Sequence, residues 1–96
     1  MSRYVLSPLA QADIDAIWDY TADQWDDGQA DRYVLQIRSA IETVARDPRR
    51  GRSCDNIRVG YRKYLAGAHV IFFRVIAGGI EVVRVLHQNM DFDRHL

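Results

Sequence analysis

From Pro8 to Trp25 the apolar residues return every three or four positions: Ala10, Ile14, Ile17, Trp18, Thr21 and Trp25 share one stripe. Asp13, Asp15, Asp19 and Asp23 fall elsewhere. That period predicts an amphipathic helix over 8–25. Ser7-Pro8 starts it well, because serine can cap free N–H groups and proline loses nothing at the first helical position. Asp26-Asp27-Gly28 breaks the pattern. A second stripe follows in Ala30, Tyr33, Val34, Ile37, Ala40, Ile41 and Val44, predicting a helix over 28–47. It must end there, since the residue before Pro48 resists helical geometry. So short a break makes the pair an antiparallel hairpin.

The rest of the chain reads as strands. Arg3 to Ser7 is a short first strand, and residues 49–56 form a polar, basic connection. Apolar runs near 61–65, 68–77 and 80–87 then predict three antiparallel strands. Gly78-Gly79 suits a two-residue turn, because both positions tolerate positive φ. That turn would pair Ala77 with Ile80, Val75 with Val82, Phe73 with Arg84 and Ile71 with Leu86. One face would then carry His69, Ile71, Phe73, Val75, Ile80, Val82, Arg84 and Leu86. The other would carry Val70, Phe72, Arg74, Ile76, Glu81, Val83, Val85 and His87. Both faces are largely apolar, and one helical hairpin covers only one of them. The expected fold is a single α+β domain over 1–96: a strand, a helical hairpin, and a three-stranded antiparallel sheet packed on the helices.

Charge sharpens this picture. Residues 1–45 hold three basic and eight acidic side chains, a formal −5; residues 46–96 hold ten basic and five acidic, +5. The net charge is zero, which argues against strong non-specific nucleic-acid binding. No apolar run approaches the ~20 residues of a membrane span, and the N-terminal apolar stretch is too short for a signal peptide. Cys54 is the only cysteine, so no internal disulfide forms, in keeping with a cytoplasmic protein.

Candidate chemistry is sparse. No metal-ligand spacing joins His69, His87, His95 and Cys54, and no cofactor motif is present. A metal-independent ribonuclease needs cations around the scissile phosphate and a proton shuttle. Arg58, Arg62, Lys63, Arg74, Arg84 and His87 are the available set. In the register above Arg74 and Arg84 lie on opposite faces, so the six do not converge.

The ordered set of local features resembles a known family. Leu6-Ser7-Pro8 with Ala10, Asp13-Ile14 and Ile17 comes first, then Gln29-Ala30 with Tyr33. Pro48, Gly51-Arg52, Ile57-Arg58, Gly60-Tyr61-Arg62 and Gly67 follow. His69 to Val75, Val83 to Gln88, Met90-Asp91 and His95-Leu96 complete the series. Together they resemble the ParE branch of the RelE/ParE toxins across essentially the whole chain.

In that superfamily the ribonuclease members typically carry arginine where His69 stands, a second arginine just after the last strand, and a late tyrosine. Here Gln88-Asn89 follow the last strand, and no tyrosine occurs after Tyr64. The resemblance therefore implies a toxin that inhibits DNA gyrase by binding, without catalysis, and is neutralised by a ParD-like antitoxin. An mRNA endoribonuclease is the alternative, and a non-toxic structural adaptor a third reading. By analogy with the ribonuclease members, the His69 face would be open and Val70, Phe72 and Ile76 would face the helices. Arg74 would then need a carboxylate from the acidic first helix.

Expected antitoxin contacts are Trp18, Trp25, Tyr33, His69, Ile71 and Phe73. Expected target contacts are Arg62, Lys63, Arg84, His87, Met90, Arg94 and His95. The tail from Gln88 to Leu96 would either cap the core through Met90, Phe92 and Leu96 or contribute to the target surface.

Overall fold

The computed structural model describes residues 3–96. Its elements run β1 (Arg3–Leu6), α1 (Pro8–Gln24), α2 (Asp27–Arg46), a 3-10 turn (Pro48–Arg50), β2 (Arg52–Ser53), β3 (Tyr61–Ala66), β4 (His69–Ile76), β5 (Gly79–His87) and α3 (Phe92–His95). Both long helices start on capping side chains. Ser7 Oγ accepts from the Ala10 N–H, and the Asp26 carboxylate accepts from Gln29 N–H. The helices and main strands lie where the periodicity puts them.

The sheet is larger than the expected meander. It has five strands in the order β1-β5-β4-β3-β2. β1 lies parallel to β5, with Leu6 opposite Val82, and the polar connection after α2 supplies β2. The helical hairpin covers one face. Ala10, Ile14 and Ile17 of α1 and Ile37, Ile41 and Val44 of α2 pack on Ile71, Phe73, Ile80, Val82 and Val85.

This reverses the expected assignment of faces. Ile71 and Phe73 lie under the helices, and Val70 and Phe72 lie on the opposite side. That opposite face is not bare. Cys54, Ile57 and Tyr61 from the β2–β3 connection and Phe92 and Leu96 from the tail pack against Val70, Phe72 and Leu86. The Phe72 and Phe92 rings meet edge to face at 4.8 Å. A short loop and the tail thus provide the second cover that two apolar faces demand.

The hairpin register also differs. The β4–β5 ladder closes with Ile76 opposite Gly79, so the turn residues are Ala77 and Gly78. Gly78 takes φ +79°, as the turn requires. Gly79 plays a different part. A Cβ there would collide with the Arg3 backbone carbonyl, so its absence lets β1 pair closely. Phe73 faces Val82 and Phe72 faces Arg84, leaving Val83 as the extra residue of a β-bulge. One added residue reverses the alternation beyond it. Val85 and His87 therefore join the face of Ile71 and His69, and Arg84 does not face Phe73. Arg74 is exposed on the side away from the helices, and its carboxylate is cross-strand Glu81, with Nε 2.6 Å from Oε1. No helix of the described residues is long and apolar enough to cross a membrane.

Candidate functional site

The bulge marks where β1 leaves β5. Ser7 sits at that fork with four hydrogen bonds, one of them from Gln11 N–H to its carbonyl. Its N–H donates to the Val82 carbonyl, its Oγ–H to the Val83 carbonyl, and its Oγ accepts from Ala10 N–H. β1 ends there, and α1 turns away across the remaining edge of β5. The edge is partly satisfied by Asp13, whose carboxylate accepts from the Val85 N–H at 2.9 Å.

The same carboxylate accepts two hydrogen bonds from Arg84, at 2.8 Å each. Arg84 Nη1 also donates to the His95 carbonyl. Both side chains are about 15% exposed. The ion pair holds the guanidinium firmly protonated, above its ordinary pKa, against the opposing effect of burial. One arginine so joins α1, β5 and the tail. Asp13 is not among the expected contact residues, although the sequence holds a signal for it. It borders the buried stripe of Ala10, Ile14 and Ile17, and a carboxylate there needs a cation.

Beyond Asp13 the edge opens into a groove of about 370 Å³, lined mainly by Ala16, Ile17, Tyr20, His69, His87 and Met90. Its floor is a histidine pair whose rings meet edge to face at 5.3 Å. The Tyr33 hydroxyl accepts from Ala68 N–H and lies 2.6 Å from His69 Nδ1. The imidazole tautomer decides whether the hydroxyl or Nδ1 donates in that bond. Burial, and after it the neighbouring His87, lower the His69 pKa, while Asp13 opposes them. His69 is therefore neutral near pH 7. Gly67 permits the arrangement, because its φ is +59° and a Cβ would stand 2.8 Å from the Tyr33 ring.

Of the residues expected at an antitoxin surface, Tyr33 and His69 are brought together here. Trp18 is half-buried, and its Nε1–H donates to Asp31, tying α1 to α2. Trp25 stands 75% exposed at the tip of the helical hairpin. Ile71 and Phe73 are wholly buried. They cannot touch a partner in this conformation, a consequence of the reversed faces.

The expected target residues do not form one patch. His87 and Met90 line the groove. Arg62 donates to the carbonyls of Pro48 and Gly51, bracing the 3-10 turn. Lys63 lies on the far side of the sheet, opposite Phe72. Arg94 and His95 are exposed on α3.

The ribonuclease set is likewise scattered, though not by strand alternation as expected. Arg74 pairs with Glu81, Arg62 with backbone and Arg84 with Asp13, while Arg58 is exposed and donates to its neighbour's carbonyl. Cys54 is 1% exposed, and burial pushes its thiol pKa up despite Lys63 nearby. Such a thiol is a weak nucleophile. Among the described residues no cluster of three or more His, Cys, Asp or Glu side chains could hold a metal ion.

Fold and sequence together define a toxin component of a two-part toxin–antitoxin system. The chain belongs to the ParE toxin family: the family described as "ParE toxin of type II toxin-antitoxin system, parDE" matches residues 4–92. It is 55% identical over 96 residues to Toxin ParE1 of Mycobacterium tuberculosis strain H37Rv, covering 99% of this chain and 98% of the relative. It is 42% identical to Toxin ParE1 of Caulobacter vibrioides, over 100% and 99% of the two chains. Among solved structures, "Chromosomal ParDE TA system from P. aeruginosa" has the same fold. Its TM-score is 0.78 at 21% identity, over 91% of this chain and 96% of that one.

Proposed function

We propose that this toxin arrests cell growth in the cytoplasm by binding DNA gyrase, without chemistry of its own, and that a ParD-like antitoxin neutralises it. The observation that carries this reading is the ParE match over residues 4–92. The geometry is consistent with it. Arg62, Arg74 and Arg84 are all engaged in structural contacts, so they do not surround a scissile phosphate as RNA cleavage would need.

The α1–β5 groove is the place we assign to the antitoxin. It is apolar, it borders a strand edge that β1 leaves uncovered, and Tyr20 stands 67% exposed on its rim. An amphipathic helix laid along it would bury Tyr20, Met90 and the two histidines. Exposed Arg94 and His95 on α3 are candidates for target contact. The test is expression without the antitoxin, followed by parallel assays of purified protein on gyrase supercoiling and on RNA. We expect DNA damage with bulk mRNA intact. Specific mRNA cleavage lost on changing Arg84 or His87 would favour the ribonuclease alternative.

A further inference from the structure

A second cavity lies on the opposite side of the sheet, about 530 Å³ in volume. Arg50, Arg52 and Lys63 stand around it, and Leu65, Val70 and Phe92 give it apolar walls. Among the described residues no carboxylate lines it, and none of the three cations has an acidic partner within 4.0 Å. This differs from Arg74 and Arg84, which both have one.

The cations are also placed against their own interest. Arg52 and Lys63 are direct cross-strand partners. Like charges in that position repel and weaken a sheet. An anion lying across both would turn that repulsion into attraction. The cavity opens beside a usable strand edge as well. Cys54 N–H donates to the Tyr61 carbonyl, so by strand alternation Lys63 and Leu65 present their backbone groups to the same outer side. β2 pairs only as far as Lys63 and stops short of Leu65. Leu65 is 60% exposed.

We infer that this cavity is the docking site of an extended acidic segment of a protein partner. The segment adds to the β3 edge at Leu65, sets carboxylates against Arg50, Arg52 and Lys63, and places an apolar side chain between Leu65, Val70 and Phe92. Main-chain pairing supplies affinity, and the pocket selects alternate side chains. A nucleic-acid strand would use the cations but would leave the apolar wall and the amide edge unused. The inference stands apart from the gyrase reading and from the antitoxin groove on the other side.

The test uses the isolated full chain and three fluorescein-labelled probes. These are a short peptide alternating glutamate and leucine, its lysine–leucine counterpart, and an oligo-deoxythymidine of similar charge. The acidic peptide is expected to bind, with affinity that falls as salt is raised. Arg52→Glu and Lys63→Glu are each expected to weaken it at least about tenfold, since they replace attraction with repulsion. Leu65→Ser should weaken it several-fold, and Arg32→Glu on the distant α2 should change nothing. Thermal melts of the variants confirm that each is folded. Hydrogen exchange at the Leu65 amide should slow when the peptide is bound. Failure of the acidic peptide to bind, or binding indifferent to all three cavity variants, overturns the inference. So does an oligonucleotide that binds more tightly than the peptide and ignores Leu65→Ser.

Discussion

Ser7 shows how much one side chain can decide. It closes the β1–β5 pairing, caps α1 and holds the bulge carbonyl of Val83. Ser7→Ala removes both the cap and the hydroxyl donor to that carbonyl. We expect a loss of about 1–2 kcal/mol in urea unfolding. Asp13 and Arg84 form the half-sequestered counterpart. Asp13→Ala leaves a guanidinium without its carboxylate and should cost about 3 kcal/mol. The double change Asp13→Leu with Arg84→Met should cost clearly less than the two single changes added together. Strict additivity would mean that the pair is not coupled.

His69 gives the protein a pH dependence of definite sign. Its folded-state pKa is lowered by burial, while in the unfolded chain it sits near the ordinary ~6.5. As pH falls through about 6.5, the unfolded chain takes up the proton first, so folding weakens. The contribution is complete above about pH 6.5 and declines below it. Melting temperature measured from about pH 8 to about 5.5 should fall at the acid end. His69→Gln, which keeps a polar group able to hydrogen-bond Tyr33 but does not titrate, should flatten that fall. An unchanged slope in the variant would assign the effect to other groups.

At the scale of elements, the helices were legible because their signals are local. Periodicity, caps and Pro48 act within a few residues of the bounds they set. The sheet was legible only in part. Two adjacent glycines read as one turn, yet Gly78 serves the turn and Gly79 serves a strand from the other end of the chain. No residue near Val83 announces a bulge, and that single insertion inverted the reading of Arg84, Val85, Leu86 and His87. Face assignment by analogy failed for the same reason: it depends on which long-range partner arrives. The groove was half legible. Of its lining, His69, His87 and Met90 were named from the sequence, the last two as target contacts, whereas Asp13, Tyr20 and the fork at Ser7 required the β1–β5 pairing.

The tail is the element whose role the structure clarifies most. Phe92 and Leu96 pack on the buried face around Phe72, and the His95 carbonyl is held by Arg84. Phe92→Ala should therefore cost about 1–2 kcal/mol, less than a fully buried phenylalanine would. Truncation after Gln88 should lower the melting point sharply. Loss of gyrase activity on truncation would thus not by itself assign target contact. Arg94→Glu separates the two roles, because Arg94 is exposed on α3. It should leave the melting point unchanged and weaken gyrase inhibition. Full inhibition by that variant would remove Arg94 from the target surface.

At the scale of the molecule, the two halves of the chain carry opposite formal charge, −5 and +5. The acidic half builds the helical layer and the basic half most of the sheet. The second apolar face, which a single hairpin leaves bare, is covered by the chain's own loop and tail. Two unlike surfaces remain: an apolar groove beside α1 and a cationic cavity on the reverse of the sheet. The central claim is that the toxin acts by occupying gyrase. The direct measurement is a titration of the purified chain against a fixed, known concentration of gyrase in a supercoiling assay. Inhibition should rise with the toxin-to-gyrase ratio, saturate near a stoichiometric ratio, and be relieved by adding antitoxin. Gyrase unaffected at excess toxin, or loss of activity that continues with time at far below one toxin per enzyme, would contradict the account.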